Sequence, residues 1–173
     1  MDNAPSPVQP IDLLVLLALV ASGKPDMPVR DVADAIGISK SAVALSLRRL
    51  AGVGLLKGDG AARRINRVAV RSLLEHSLRW IAPGTIGNWE LGLPTAHAAG
   101  VLSAGLVGDA DPLVIPLHHG PMRGRAVTPI HPRAPQAAGK DPKLHNLLAI
   151  VDALRVGRAR DREAALAQLR AFV

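Results

Sequence analysis

An α+β fold is what the sequence predicts, and three observations predict it. Apolar residues return at helical spacing in several separate stretches. The turn "GDG" at residues 58–60 lies between an apolar and a basic flank, as in a two-stranded hairpin. From residue 82 to 139 the composition shifts to Gly, Pro and Ala and the helical periods fade, before two more helices close the chain. The expected organisation is a flexible N-terminus over 1–10, a first domain over 11–81, and a mixed, mostly irregular C-terminal part over 82–173 that ends in helices.

The elements follow in order. Residues 11–22 form a strongly apolar run broken by Asp12, read as a buried helix with Pro10 near its first turn. "MPV" at 27–29 is a short strand in this reading. Val29, Val32, Ala33 and Ile36 then recur at helical spacing up to Gly37. Ile38 plugs a turn, and Ser39 is the N-cap of a second helix. In that helix Val43, Leu47 and Leu50 share one face, leaving Lys40, Ser41, Ala44, Leu45 and Arg48 on the other. "LLKGDGAARRINRVAV" supplies the hairpin, a two-stranded wing with a basic return strand. A helix over 69–81 turns Val70, Leu73, Leu74 and Leu78 inward.

Charge sharpens this picture. Residues 40–71 hold eight basic residues and one acid, a net +7 that equals the charge of the whole chain. The thirteen bases and thirteen acids elsewhere cancel. A concentrated positive field suits a polyanion, because each neutralised phosphate releases condensed counterions. Its bland alternative is a solvated basic face. With only Trp80, Trp89 and Phe172 as aromatics, a single-strand stacking platform is not expected.

Helix, short strand, "DVADAIGISKSAVALSLRRL" and a basic hairpin together resemble the winged helix-turn-helix of bacterial regulators, MarR-like in the broad sense. The resemblance covers the N-terminal half only, about residues 11–81. It rests on Ala33 inside the first motif helix, Gly37 in the turn, "SKSAV" opening the second helix, and "LRRLAGVGLL" running into the wing. It implies that the helix over 39–50 enters the major groove while the wing grips flanking backbone. Carried over, Ser39, Lys40 and Ser41 stand at the helix N-terminus near phosphates or base edges, and Ala44 and Leu45 face bases. Arg48 and Arg49 reach the rim, and Arg63, Arg64 and Arg67 hold backbone from the wing. One departure is that positions 44 and 45, often polar or basic in such regulators, are Ala and Leu here. They offer thymine-methyl contact without hydrogen-bond readout. For Leu45, contact with another part of the protein or with a partner is the competing reading.

In the second half, "PLVIPLHHG" and "RGRAVTPIHP" are expected to pair across "GPM", with prolines keeping them at sheet edges. His97, His118, His119 and His131 lack metal-ligand spacing, so no metal and no cofactor are expected. Ser103, His97 and Asp109 lack a nucleophile elbow, and "GTIGNWELG" lacks the pattern of a phosphate loop, so no catalysis is expected. Asp141 and Pro142 start a helix striped by Leu144, Leu147, Leu148, Val151 and Leu154, and residues 161–172 form a last one. The arginines of "RVGRARDRE" read as a salt-bridged, solvated turn, with a second DNA contact as the alternative.

The absence of cysteine excludes disulfides and thiolate chemistry. Residues 11–21 are too short to span a bilayer, which takes roughly 20 residues. The acidic start lacks a signal-peptide pattern, so a cytoplasmic protein is expected. The function implied by the resemblance is a transcriptional regulator, a repressor, bound to double-stranded DNA as a homodimer. Residues 11–22 and 144–154 are its candidate seams, and each could equally be internal core. The alternative is a protein-interaction subunit, an antitoxin-like partner or scaffold, that engages another protein through the winged helix and C-terminal half.

Overall fold

The computed structural model describes residues 6–103 and 111–173, with the Ser103 side chain outside that description. Residues 1–5 of the expected flexible terminus, and Asp109, lie outside the described residues. Helix α1 (Pro10–Ser22) starts with proline at its first position and is buried from Asp12 to Ala21. Helix α2 (Val29–Ile36) buries Val32, Ala33 and Ile36 and stops where Gly37 turns left-handed, φ 67°. Ser39 then caps α3 (Lys40–Gly52), its Oγ accepting from the Ala42 amide at 3.2 Å. Val43, Leu47 and Leu50 face inward as the spacing predicts, joined by Ser46.

The wing pairs β1 (Leu56–Lys57) with β2 (Arg64–Ile65) antiparallel, Leu56 opposite Ile65 and Lys57 opposite Arg64. No strand forms at "MPV", which corrects the sequence reading. Pro28 has no amide to donate and serves as the N-cap of α2. The Pro25 and Met27 carbonyls there accept instead from the Arg63 guanidinium. After the wing, α4 (Arg67–Ser72), a π-wound turn at Leu73–Ser77, and α5 (Leu78–Ile81) run on as one helical stretch. It buries Val70, Leu74 and Leu78.

In the stretch expected to be irregular, the described residues build on a long strand, β3 (Ile86–Thr95). A short helix α6 (Gly100–Ser103) follows, then β4 (Leu113–Pro116) and β5 (Met122–Val127). The expected hairpin of the last two does not form. β3 is long enough to pair antiparallel with β4 near its end and with β5 along most of its length, while β4 and β5 meet in parallel, closing a three-stranded barrel. Gly124 permits this closure, because a Cβ there would crowd the Pro112 carbonyl and the Val114 side chain.

Helix α7 (Ala134–Lys140), also within the stretch read as irregular, leads into α8 (Pro142–Val156). Asp141 caps α8, accepting from the Lys143 and Leu144 amides at 2.8 and 3.2 Å, as the sequence predicts. Helix α9 (Ala159–Phe172) ends the chain. Polar bonds fasten β3 and the preceding turn to α8. Thr95 Oγ1 donates to Asp152 at 2.8 Å, and His145 Nε2 to the Pro94 carbonyl at 2.7 Å. Arg155, expected in a solvated turn, is instead buried. It holds Asp152 at 2.7 Å and donates to the Ala82 and Pro83 carbonyls. Burial pushes the Asp152 carboxyl above its ordinary range, and Arg155 and Thr95 pull it back.

One continuous cluster of buried side chains runs through both parts of the chain. Helix α1 packs on α2, α3 and α8, and α8 in turn on α7, α9 and β3. Both candidate dimer seams are therefore spent inside one chain: Leu13 to Leu17 and Leu147 to Leu154 lie within this core.

Asp12, with no exposed surface, holds Arg49 of α3 in a two-pronged pair, Nη2 to Oδ1 at 2.6 Å and Nε to Oδ2 at 2.8 Å. Removing one member of a buried pair strands the other charge and costs about 3–5 kcal/mol. We expect Asp12→Ala to lower unfolding free energy by about that much in urea titration. With Asp12 intact, Arg49→Lys should also destabilise, since an ammonium cannot reproduce the planar fork. A loss under about 1 kcal/mol, the value of an exposed pair, would contradict this role.

Candidate nucleic-acid interface

Helix α3 has two faces with different jobs. Its inner face, Val43, Ser46, Leu47 and Leu50, is sealed in the core, and Arg49 ties that side to α1. On the outer side Ser39, Lys40, Ser41, Leu45 and Arg48 are exposed and Ala44 is half-buried. Leu45 is 46% exposed, so it is not packed within the chain. Its neighbours at the helix start, Ser39 and Ser41, bring their hydroxyls within 3.1 Å of each other at the cap. The first-turn amides and Lys40 thus form a positive end open to solvent.

Not every arginine that the sequence singles out lies on this surface. Arg49 does not reach the rim. Its side chain is 9% exposed, and the hydrogen bond with Asp12 raises its pKa, which keeps the charge fixed inside. Arg63 does not face outward from the wing either. It is 7% exposed and clasps the turn between α1 and α2 through the Pro25 and Met27 carbonyls. Burial lowers its pKa, with Asp26 acting the other way. Arg67 is exposed and donates to the Phe172 carbonyl at 3.0 Å, so it already braces the end of α9. A cavity of about 210 Å³ lies at this junction, between Arg64, Ile65, Arg67 and Phe172.

One wing residue was missed as a candidate. Lys57 is exposed directly opposite Arg64, on the face away from Leu56 and Ile65. Strand alternation carries the signal: if Ile65 points inward, Arg63 does too, while Arg64 and Lys57 point out. The exposed cations of these elements are thus Lys40 and Arg48 on α3, Lys57 and Arg64 on the wing, and Arg67 at the start of α4. Among the described residues no three His, Asp or Glu side chains gather to hold a metal ion. No helix of the described residues is long and apolar enough to cross a membrane.

These features define a winged helix-turn-helix domain. The family model of the IclR helix-turn-helix domain matches residues 13–60, from α1 to the tip of the wing. The match supports a DNA-binding transcriptional regulator with a helix-turn-helix domain of IclR type over those residues; it does not support the MarR-like detail of the resemblance, since IclR is a different family. No curated protein and no solved structure matches the chain.

The two neighbouring wing arginines separate cleanly. Arg63→Ala strips charged donors from two carbonyls and should lower unfolding free energy by about 1.5–3 kcal/mol, whereas Arg64→Ala should stay within about 0.5 kcal/mol. Equal denaturation midpoints for the two variants would contradict the inward placement of Arg63.

Proposed function

We propose that the chain is a transcriptional repressor that binds double-stranded DNA as a homodimer in the cytoplasm, with α3 in the major groove and the wing on flanking backbone. The observation that carries this reading is the division of α3, whose locked inner face leaves Lys40, Ser41, Leu45 and Arg48 turned outward beside Lys57 and Arg64. In this role the α3 N-terminus and Lys40 take a phosphate, and Arg48 reaches a base edge or the groove rim. Ala44 and Leu45 press on thymine methyls, so sequence preference comes from apolar contact and from Ser41 and Arg48. A homodimer doubles a footprint that is small for one winged helix and matches two half-sites. With α1 and α8 spent in the core, its interface lies on other elements.

The test is fluorescence anisotropy of the full chain against genomic fragments and a random duplex at two salt concentrations. Tight binding to one fragment, well above the random duplex, is the expected result. Absence of binding at low salt would overturn the reading. Sedimentation of the bound complex should give two chains per duplex, and one chain would refute the homodimer. Within this assay, replacing Lys57 and Arg64 together by alanine should flatten the dependence of log K on log salt by about 1.8 units per copy, on every sequence. Ser41→Ala and Arg48→Ala should instead act unevenly across sequences. An unchanged slope in the wing variant would place the wing off DNA.

A further inference from the structure

The base of the wing, the end of α1 and the end of α9 meet around the cavity of about 210 Å³. Much of its lining is apolar: Val20 from α1, Pro25 from the turn that follows, Ile65 from β2 and Phe172 from α9. Arg64 and Arg67 line it as well, and among the described residues no aspartate or glutamate does. For scale, an apolar cavity of about 150 Å³ takes up a benzene molecule. This one has room for a six-membered ring and one small charged group.

The arginines around it are short of acceptors. Arg64 is exposed and makes no ion pair or side-chain hydrogen bond among the described residues, and Arg67 has the Phe172 carbonyl alone. Arg71, one turn further along the helix, donates through Nη2 to the carbonyl of Val173, which also lines the cavity. Its Nε is buried with no partner among the described residues. A guanidinium carries five donors in a planar fork that matches a carboxylate. Such cations, beside an apolar hollow walled by no carboxylate side chain, call for an anion with an apolar body.

We propose that this cavity binds a small monocarboxylate with an apolar ring or branched chain, and that its occupation competes with DNA for Arg64. The apolar body displaces water from Val20, Ile65 and Phe172, and the carboxylate accepts hydrogen bonds from Arg64 and Arg67. An inorganic anion would engage the arginines alone and leave the apolar walls wet. The site stands on the cavity itself. The competition rests on the DNA reading, in which Arg64 holds backbone: a carboxylate on Arg64 takes one cation from the wing, so the ligand acts as a releasing effector.

Phe172 is the only phenylalanine of the chain, so labelling phenylalanine for magnetic resonance gives one ring reporter, on the cavity wall. The labelled full chain is titrated with cyclohexanecarboxylate and, as a neutral control, with cyclohexanecarboxamide, at constant sodium. The expected result is a saturable Phe172 shift with the carboxylate, and affinity for the amide weaker by about tenfold or more. Arg64→Gln should weaken the carboxylate by a similar factor. Arg64 has no bond within the described chain to lose, so that loss reads the ligand and not the fold. Absence of a saturable shift, equal affinity for the amide, or undiminished binding by Arg64→Gln would overturn the site. In DNA anisotropy, saturating carboxylate should flatten the dependence of log K on log salt by about 0.9 units per copy, while the amide leaves it alone. Probe binding with an unchanged slope would overturn the competition. A chain that binds no DNA even without the probe defeats the DNA reading and the competition together, while the Phe172 signal still decides the site.

Discussion

The pair between Asp12 and Arg49 is the constraint on which the arrangement of the N-terminal part depends. Helix α1 is buried from Asp12 to Ala21, and an apolar stretch closed in all round has no preferred face. Asp12 supplies its polar registration point. The carboxylate also accepts from the Gln9 amide at 2.8 Å, so one group caps α1 and fixes the rotation of α3 against it. With Arg49 held inside, the α3 surface that remains is the one bearing Lys40, Leu45 and Arg48. Arg63 performs a similar service for the wing, tying its base to the turn before α2. Both arginines belong to the basic stretch, yet their task is to position the others.

The same helix couples the two parts of the chain. α1 packs on α3 on one side and on α8 on another, and α8 carries the barrel through Thr95, Asp152 and His145. Arg67 reaches from the base of the wing to the end of α9. A change in the C-terminal part therefore has a packed route to the orientation of α3 and the wing, through rigid helices rather than a linker.

Much of this was legible in the sequence. Helical spacing reveals α1, α2, α3, α8 and α9, the Asp141–Pro142 start is a cap with a mechanism, and "GDG" marks the wing tip. What escaped has physical reasons. Asp12 reads as a break in an apolar run, whereas a lone acid inside such a run is itself the sign of an internal cation. A census of charge cannot tell an arginine that faces solvent from one spent on carbonyls, so Arg49 and Arg63 were misplaced. Trp89, Leu91, Leu93 and Thr95 alternate as a strand should, but Gly and Pro around them masked the period. The parallel pairing of β4 with β5 arises only once β3 is present, and local pattern cannot show it. Helix spacing also cannot separate one winged helix-turn-helix family from another.

The central claim is that α3 and the wing, not another basic surface, meet DNA. The most direct measurement is an amide chemical-shift map of the full chain titrated with a random duplex at low salt. The account predicts perturbations over residues 39–48 and at Lys57 and Arg64, growing together. Perturbations centred on β3 and β5, with the amides of α3 unmoved, would contradict it.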